Sequence, residues 1–227
     1  MADENGKMIT RRRALAASLG MAGAAAAGTT PAIAAAASTQ PLKGKKVLIA
    51  TGEFGEGMEV YYMVYRVMEE GAVPVVAAPS VKRLQMVVHD FEPQYEGYTE
   101  KLGYQINVDV AYKDVKPAEY AALLLPGGRA PEEIRQNADL VRIVAHFMKN
   151  KLPLGAMCHG VMLLYTAAPI RGLRMTAYHG IKRDIELLGG KFIDAPVVVD
   201  GSVVTSRGWP DLPYFMPKMV EMMGRRA

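Results

Sequence analysis

Three features of this chain predict an α/β fold, a mostly parallel sheet with helices on both faces. Short apolar runs rich in Val, Leu and Ile recur through residues 45–227. Segments of helical apolar period separate them, and glycine or proline stands at most of the changeovers. Runs apolar at nearly every position suit strands covered on both faces, as in a parallel sheet.

The elements follow in order. Residues 45–50 (KKVLIA) are expected as a buried strand. Residues 58–70 carry Met58, Tyr61, Tyr62, Tyr65 and Met68 at helical spacing on or near one face, and Gly71 ends that helix. Residues 73–78 (VPVVAA) are a second strand, with Pro74 marking its start or an edge. Residues 80–104 are polar and irregular, contain three tyrosines, and read as an excursion over the surface. Residues 104–110 alternate like a solvent-facing strand. Residues 120–125 are a buried strand ended by Pro126, Gly127 and Gly128. Residues 131–150 read as one helix, with Pro131 at its start, Glu132 and Glu133 in its first turn, and Lys149 and Lys151 at its end. An apolar run then enters Cys158, and a helix-compatible run leaves it. Residues 174–178, 197–199 and 202–206 are short strands, and 214–223 a final helix.

The first part of the 227 residues is expected to lie outside this fold. Arg11, Arg12 and Arg13 precede an uncharged Ala/Gly-rich run from Ala14 to Ala37 with A-x-A-like sites near its end. That layout predicts a twin-arginine export signal over residues 1–37, a short linker over 38–44 and one domain over 45–227. An uncleaved anchor and a disordered tail are the alternatives; Thr29, Thr30 and Pro31 make the run a poor membrane span. Cleavage would leave a periplasmic protein with no membrane attachment and enough chain for one sizeable core. The formal charge of +4 falls to about +2 without residues 1–37, which hold four basic and two acidic groups. No basic block or basic–aromatic stripe remains, which excludes nucleic-acid binding.

Cys158 is the only cysteine. Unpaired in an oxidising compartment, it implies an intermolecular bridge or a free reactive thiol. Its place at a strand-to-helix corner would put it near unpaired helix-start N–H groups, which favour the nucleophilic thiolate. A buried structural cysteine is the alternative. Ligands in such sheets sit at the carboxyl ends of the strands, where residues 52–59, 126–132 and 158–159 are expected to meet. Gly127 and Gly128 would let the backbone turn sharply and aim N–H groups into a pocket, or simply join a strand to a helix. Glu132 by itself is a helix-start carboxylate. His89, His146 and His179 have no ligand-like spacing, so neither metal nor cofactor is expected.

Taken together, LPGGRAPE at 125–132, AMCHG at 156–160, Glu59 within MEVYY at 58–62, and APVVVDGSVVTSR at 195–207 followed by Asp211 and Leu212 resemble the DJ-1/PfpI superfamily, in its PfpI-like branch. The resemblance runs from about Lys45 to the C-terminus. It implies a flavodoxin-like three-layer sandwich with Cys158 as the nucleophile at an elbow. It also implies a catalytic partnership of His159 with the glutamate at the Glu132 position, supplied by a neighbouring subunit of a homo-oligomer. Glu59 would be the buried acid that reaches the cysteine, protonated because two anions in one small site repel. The backbone N–H of Gly128, with that of His159, would hold an oxyanion; Gly127 and Tyr178 would line the pocket.

Three departures concern the pocket's lining: Val161 and Met162 after the CHG motif, His179 where the family often has proline, and a long 80–104 segment. The implied activity is cysteine-dependent, hydrolase-like chemistry on carbonyl or acyl compounds, either peptidase-type or glyoxalase/deglycase-type. A redox-sensing or chaperone-like stress protein with an oxidisable Cys158 is the alternative.

Overall fold

The computed structural model describes residues 40–225. Their order is β1 (Lys46–Ala50), α1 (Gly57–Glu69), β2 (Val73–Ala78), β3 (Arg83–Asp90), β4 (Thr99–Asn107), β5 (Val110–Ala111), β6 (Ala122–Leu125), α2 (Ala130–Ile134), α3 (Ala138–Lys149), β7 (Leu154–Met157), α4 (Met162–Ala167), β8 (Arg174–Met175), α5 (Lys182–Leu187), β9 (Lys191–Phe192), β10 (Val197–Asp200), β11 (Val203–Ser206) and α6 (Leu212–Gly224). The expected signal, residues 1–37, lies outside the described residues. Within the expected linker, Leu42 is fully buried and its N–H donates to Glu70 O at 3.1 Å. Residues 40–44 therefore fold with the domain.

Seven strands form one sheet in the order β10-β11-β7-β6-β1-β2-β5. All neighbours pair in parallel except the edge strand β10, which runs antiparallel to β11. The two-residue period of a strand divides the central residues between two cores. Leu48, Ala50, Leu123 and Leu125 pack with Leu140, Ile143, Val144 and Phe147 of α3. Val47, Ile49, Ala122 and Leu124 pack with Met63 and Val67 of α1 and with Phe215, Met216 and Met219 of α6. Both faces of the sheet are thus covered, as the uniformly apolar strands predict.

Several elements differ from the sequence expectation. Residues 80–104 are not irregular: β3 and β4 pair as an antiparallel hairpin, with a register shift between Gln85 and Val87. That shift breaks the strict alternation of Leu84, Met86, Val87 and His89, all four of which are buried. Residues 131–150 are two helices, because the Asn137 side chain accepts from the N–H groups of Asp139 (3.0 Å) and Leu140 (3.1 Å) and starts a new one. The strand expected over 174–178 keeps only its first two residues.

In α1 the buried face is the other one. Glu59, Val60, Met63 and Val67 face the core, whereas Met58, Tyr65 and Met68 are more than half exposed. Both stripes have helical spacing, so the period alone does not choose between them.

Candidate active site

Cys158 follows the last residue of β7 with φ +53°, a left-handed backbone that a residue bearing a Cβ enters only under strain. This is the geometry of a nucleophile elbow: the side chain is lifted off the strand end towards the loops above. The helix behind it is weaker than expected. Residues Cys158–Val161 form a 3-10 turn and α4 has only six residues. What favours the thiolate there is the nearby N–H groups of Gly128 and His159, set against burial, which disfavours it.

The three strand-end segments meet as expected. The loop after β1 lies antiparallel to the turn after β6: Glu56 N–H donates to Gly127 O (3.2 Å), Arg129 N–H donates to Phe54 O (2.9 Å), and Gly55 bridges Gly128. That close approach requires glycine at both positions. A Cβ on Gly128, whose φ is +79°, would stand 2.3 Å from Glu56 N; one on Gly127 would stand 2.5 Å from Cys158 Cβ and 3.0 Å from its Sγ. The N–H of Gly127 is committed to Glu59 Oε2 at 2.6 Å. That leaves the Gly128 N–H, not the Gly127 N–H, as the one that favours a charged sulfur.

Glu59 is fully buried, and its Oε1 has no hydrogen-bond partner. Burial raises its carboxyl to about 8, with the Gly127 and Trp209 N–H groups opposing the rise and the charge of Glu56 adding to it. It is therefore mostly a neutral acid at neutral pH. Burial also pushes the Cys158 thiol up, and a charged Glu59 would push it further; the N–H groups of Gly128 and His159 act the other way. One small site thus holds two groups that resist ionising together.

His159 Nδ1 lies 3.5 Å from Cys158 Sγ, and the ring is buried. Burial, with the His89 ring adding to it, lowers His159 to about 4, so the imidazole is neutral at neutral pH and able to accept a proton. Tyr178 lies against this ring at 4.8 Å between centroids. Glu132 is exposed on α2. Among the described residues its carboxylate makes no hydrogen bond or ion pair, so one chain does not join it to His159.

Two residues that sequence reasoning missed complete the surroundings. Tyr98, at the end of the hairpin turn, stands edge-on to His159 at 6.0 Å and to Tyr178 at 5.5 Å. His89 on β3 stacks on Tyr98 at 4.2 Å and hydrogen-bonds Glu100 Oε2 at 2.8 Å. Both lie in the segment read as surface; the buried-type residues Leu84, Met86 and Val87 before His89 were the available signal. No group of residues suited to a metal ion occurs among the described residues.

Residues 45–222 match the model of the DJ-1/PfpI family. The chain is 40% identical over 179 residues to a protein of Archaeoglobus fulgidus, covering 79% of this chain and 98% of the relative. It is 39% identical over 178 residues to a protein named deglycase from Pyrococcus abyssi, covering 78% and 99%. The fold is similar to that of Drosophila melanogaster DJ-1beta, with a TM-score of 0.67 at 19% identity over 80% of this chain and 91% of that one.

Proposed function

The chain belongs to the DJ-1/PfpI family, and from that premise we propose that it is a cysteine-nucleophile enzyme of the deglycase and glyoxalase type, acting on reactive carbonyl compounds such as methylglyoxal and its adducts. One observation carries the reading: Cys158 sits at a strained strand-end elbow with a neutral imidazole nitrogen 3.5 Å from its sulfur. The name deglycase borne by the Pyrococcus abyssi relative favours carbonyl chemistry over peptide hydrolysis.

His159 Nδ1 takes the thiol proton as Sγ bonds to the carbonyl carbon, and the π electrons move to oxygen. The Gly128 and His159 N–H groups, which favour negative charge on the sulfur, stabilise that oxyanion. Protonation gives a hemithioacetal. With a 2-oxoaldehyde, moving a proton between the two oxygen-bearing carbons makes a thioester, from which water releases a 2-hydroxy acid and the free thiol. Glu59, neutral at pH 7, spares the site a second anion. The exposed Glu132 joins the His159 of a second copy in a homo-oligomer; a monomeric, fully active species in light scattering would overturn that assembly.

The redox-sensor alternative is less favoured, because Cys158 is only 5% exposed and burial pushes its thiol up, both of which slow oxidation. The deciding experiment is turnover of methylglyoxal, of glycated thiols and amines, and of peptides by the protein and its Cys158→Ala variant. Loss of carbonyl turnover in the variant supports the reading. Full retained activity contradicts it.

A further inference from the structure

The β3–β4 hairpin brings an aromatic wall to the Cys158 site. Tyr98 and Tyr178 stand at 5.5 Å, and both flank the His159 ring. Phe91, at the other end of the hairpin turn, lies 6.5 Å from each of them and 6.4 Å from Trp209. Tyr178 and Trp209 pack in the same cluster as Cys158.

The wall is held by polar ties at three places. His89, stacked under Tyr98, donates its backbone N–H to Glu56 Oε2 at 2.9 Å, which anchors it to the start of α1. Its ring bonds Glu100, which accepts twice from Arg129 Nε (2.8 and 3.1 Å) before α2. Its carbonyl accepts from Trp209 Nε1 at 2.8 Å. A hairpin serving only to cover the sheet has no use for so many bonds at its tip. Rings fixed in advance offer apolar contact without an ordering penalty on binding.

We propose that Tyr98 is a specificity-determining residue of the Cys158 site, its ring forming with the Tyr178 ring it meets edge-on an aromatic wall that favours substrates carrying a flat aromatic group next to the reactive carbonyl over those carrying a methyl. A planar ring can pack against such a wall, whereas a methyl group covers little of it. The proposal deepens the reading of Cys158 as a nucleophile and rests on it. Burial, with the charges of Glu132 and Cys158 adding to it, keeps the Tyr98 phenol protonated up to about 12. The ring therefore stays uncharged across the working range.

The test compares phenylglyoxal with methylglyoxal as substrates, and phenacyl bromide with bromoacetone as alkylating agents of Cys158. In the second pair Sγ bonds to the methylene carbon, bromide leaves, and the thiol proton passes to His159 or solvent. The adduct is read by intact mass and each rate is divided by that of free cysteine. The protein should prefer the aryl member of each pair by about tenfold, as expected for a modest gain in buried apolar contact. Tyr98→Phe should keep that preference. Tyr98→Ala should lose most of it, the rate with the aryl member falling about tenfold more than the rate with the methyl member. An unchanged ratio in Tyr98→Ala, an equal fall for both members, or a loss of preference in Tyr98→Phe would each overturn the proposal. If neither glyoxal is turned over, the enzymatic reading fails, and the alkylation ratio alone decides whether the aromatic wall selects flat groups.

Discussion

Glu59→Gln isolates the electrostatics of the site. The carboxyl rises from 4.5 in the open chain to about 8 in the fold. A group raised on folding gives stability that is complete below the unfolded value and lost as pH climbs through the folded one. The fold should therefore weaken between about pH 4.5 and 8 on account of this residue, by up to roughly 1.4 kcal/mol per pH unit. From pH 5 to pH 8 the loss comes to about 3–4 kcal/mol. Glutamine matches the neutral acid in shape. It can still accept the Gly127 N–H, while its NH2 takes the place of the oxygen that faces the Trp209 N–H, an offset that is the same at every pH. It does not ionise, so this slope disappears. Urea unfolding of both proteins at several pH values reads the difference; groups not coupled to Glu59 contribute alike to both and cancel, and Cys158, whose thiol burial pushes up, stays neutral in both folds over this range. Apart from that constant offset, the variant should match the parent near pH 5 and exceed it by about 3–4 kcal/mol at pH 8. Parallel curves would mean that Glu59 is ionised in the fold throughout, and the reasoning from burial would be refuted.

Three further outcomes are expected. Gly127→Ala places a methyl group 3.0 Å from Cys158 Sγ and should lower kcat/KM roughly hundredfold by displacing the nucleophile, with far-ultraviolet circular dichroism unchanged. His159, lowered to about 4 by burial and the nearby His89, should leave kcat/KM flat from pH 7 to 5 and give an acid limb near 4; a midpoint near 6.5 would show a solvated histidine. Tyr112→Phe removes the bond from the buried hydroxyl to Thr51 O at 2.5 Å and should cost about 1–2 kcal/mol in urea unfolding, with kcat/KM intact.

The parallel sheet was legible because its strands are apolar throughout, as in ALLL of β6 and LGAM of β7, and burial on two faces demands that. Cys158, Gly128 and His159 were legible because chemistry at strand ends needs such residues in adjacent turns. The face of α1 was not legible: its exposed stripe of Met58, Tyr65 and Met68 is as apolar and as regularly spaced as the buried one. The hairpin was hidden for another reason. Most of β4 is exposed and polar, and what secures β3 is a set of side-chain bonds to Glu56, Glu100 and Trp209, distant in sequence from His89. The commitment of the Gly127 N–H to Glu59 likewise depends on two segments meeting in space.

The central claim is that Cys158 Sγ forms a bond to a substrate carbon with His159 taking its proton. Rapid-quench intact-mass measurement with methylglyoxal at single turnover tests it most directly. The protein should show a transient species heavier by one substrate molecule, located at Cys158 and absent from Cys158→Ala. It should form more slowly in His159→Ala. Turnover without any such species, or the same species in Cys158→Ala, would contradict it.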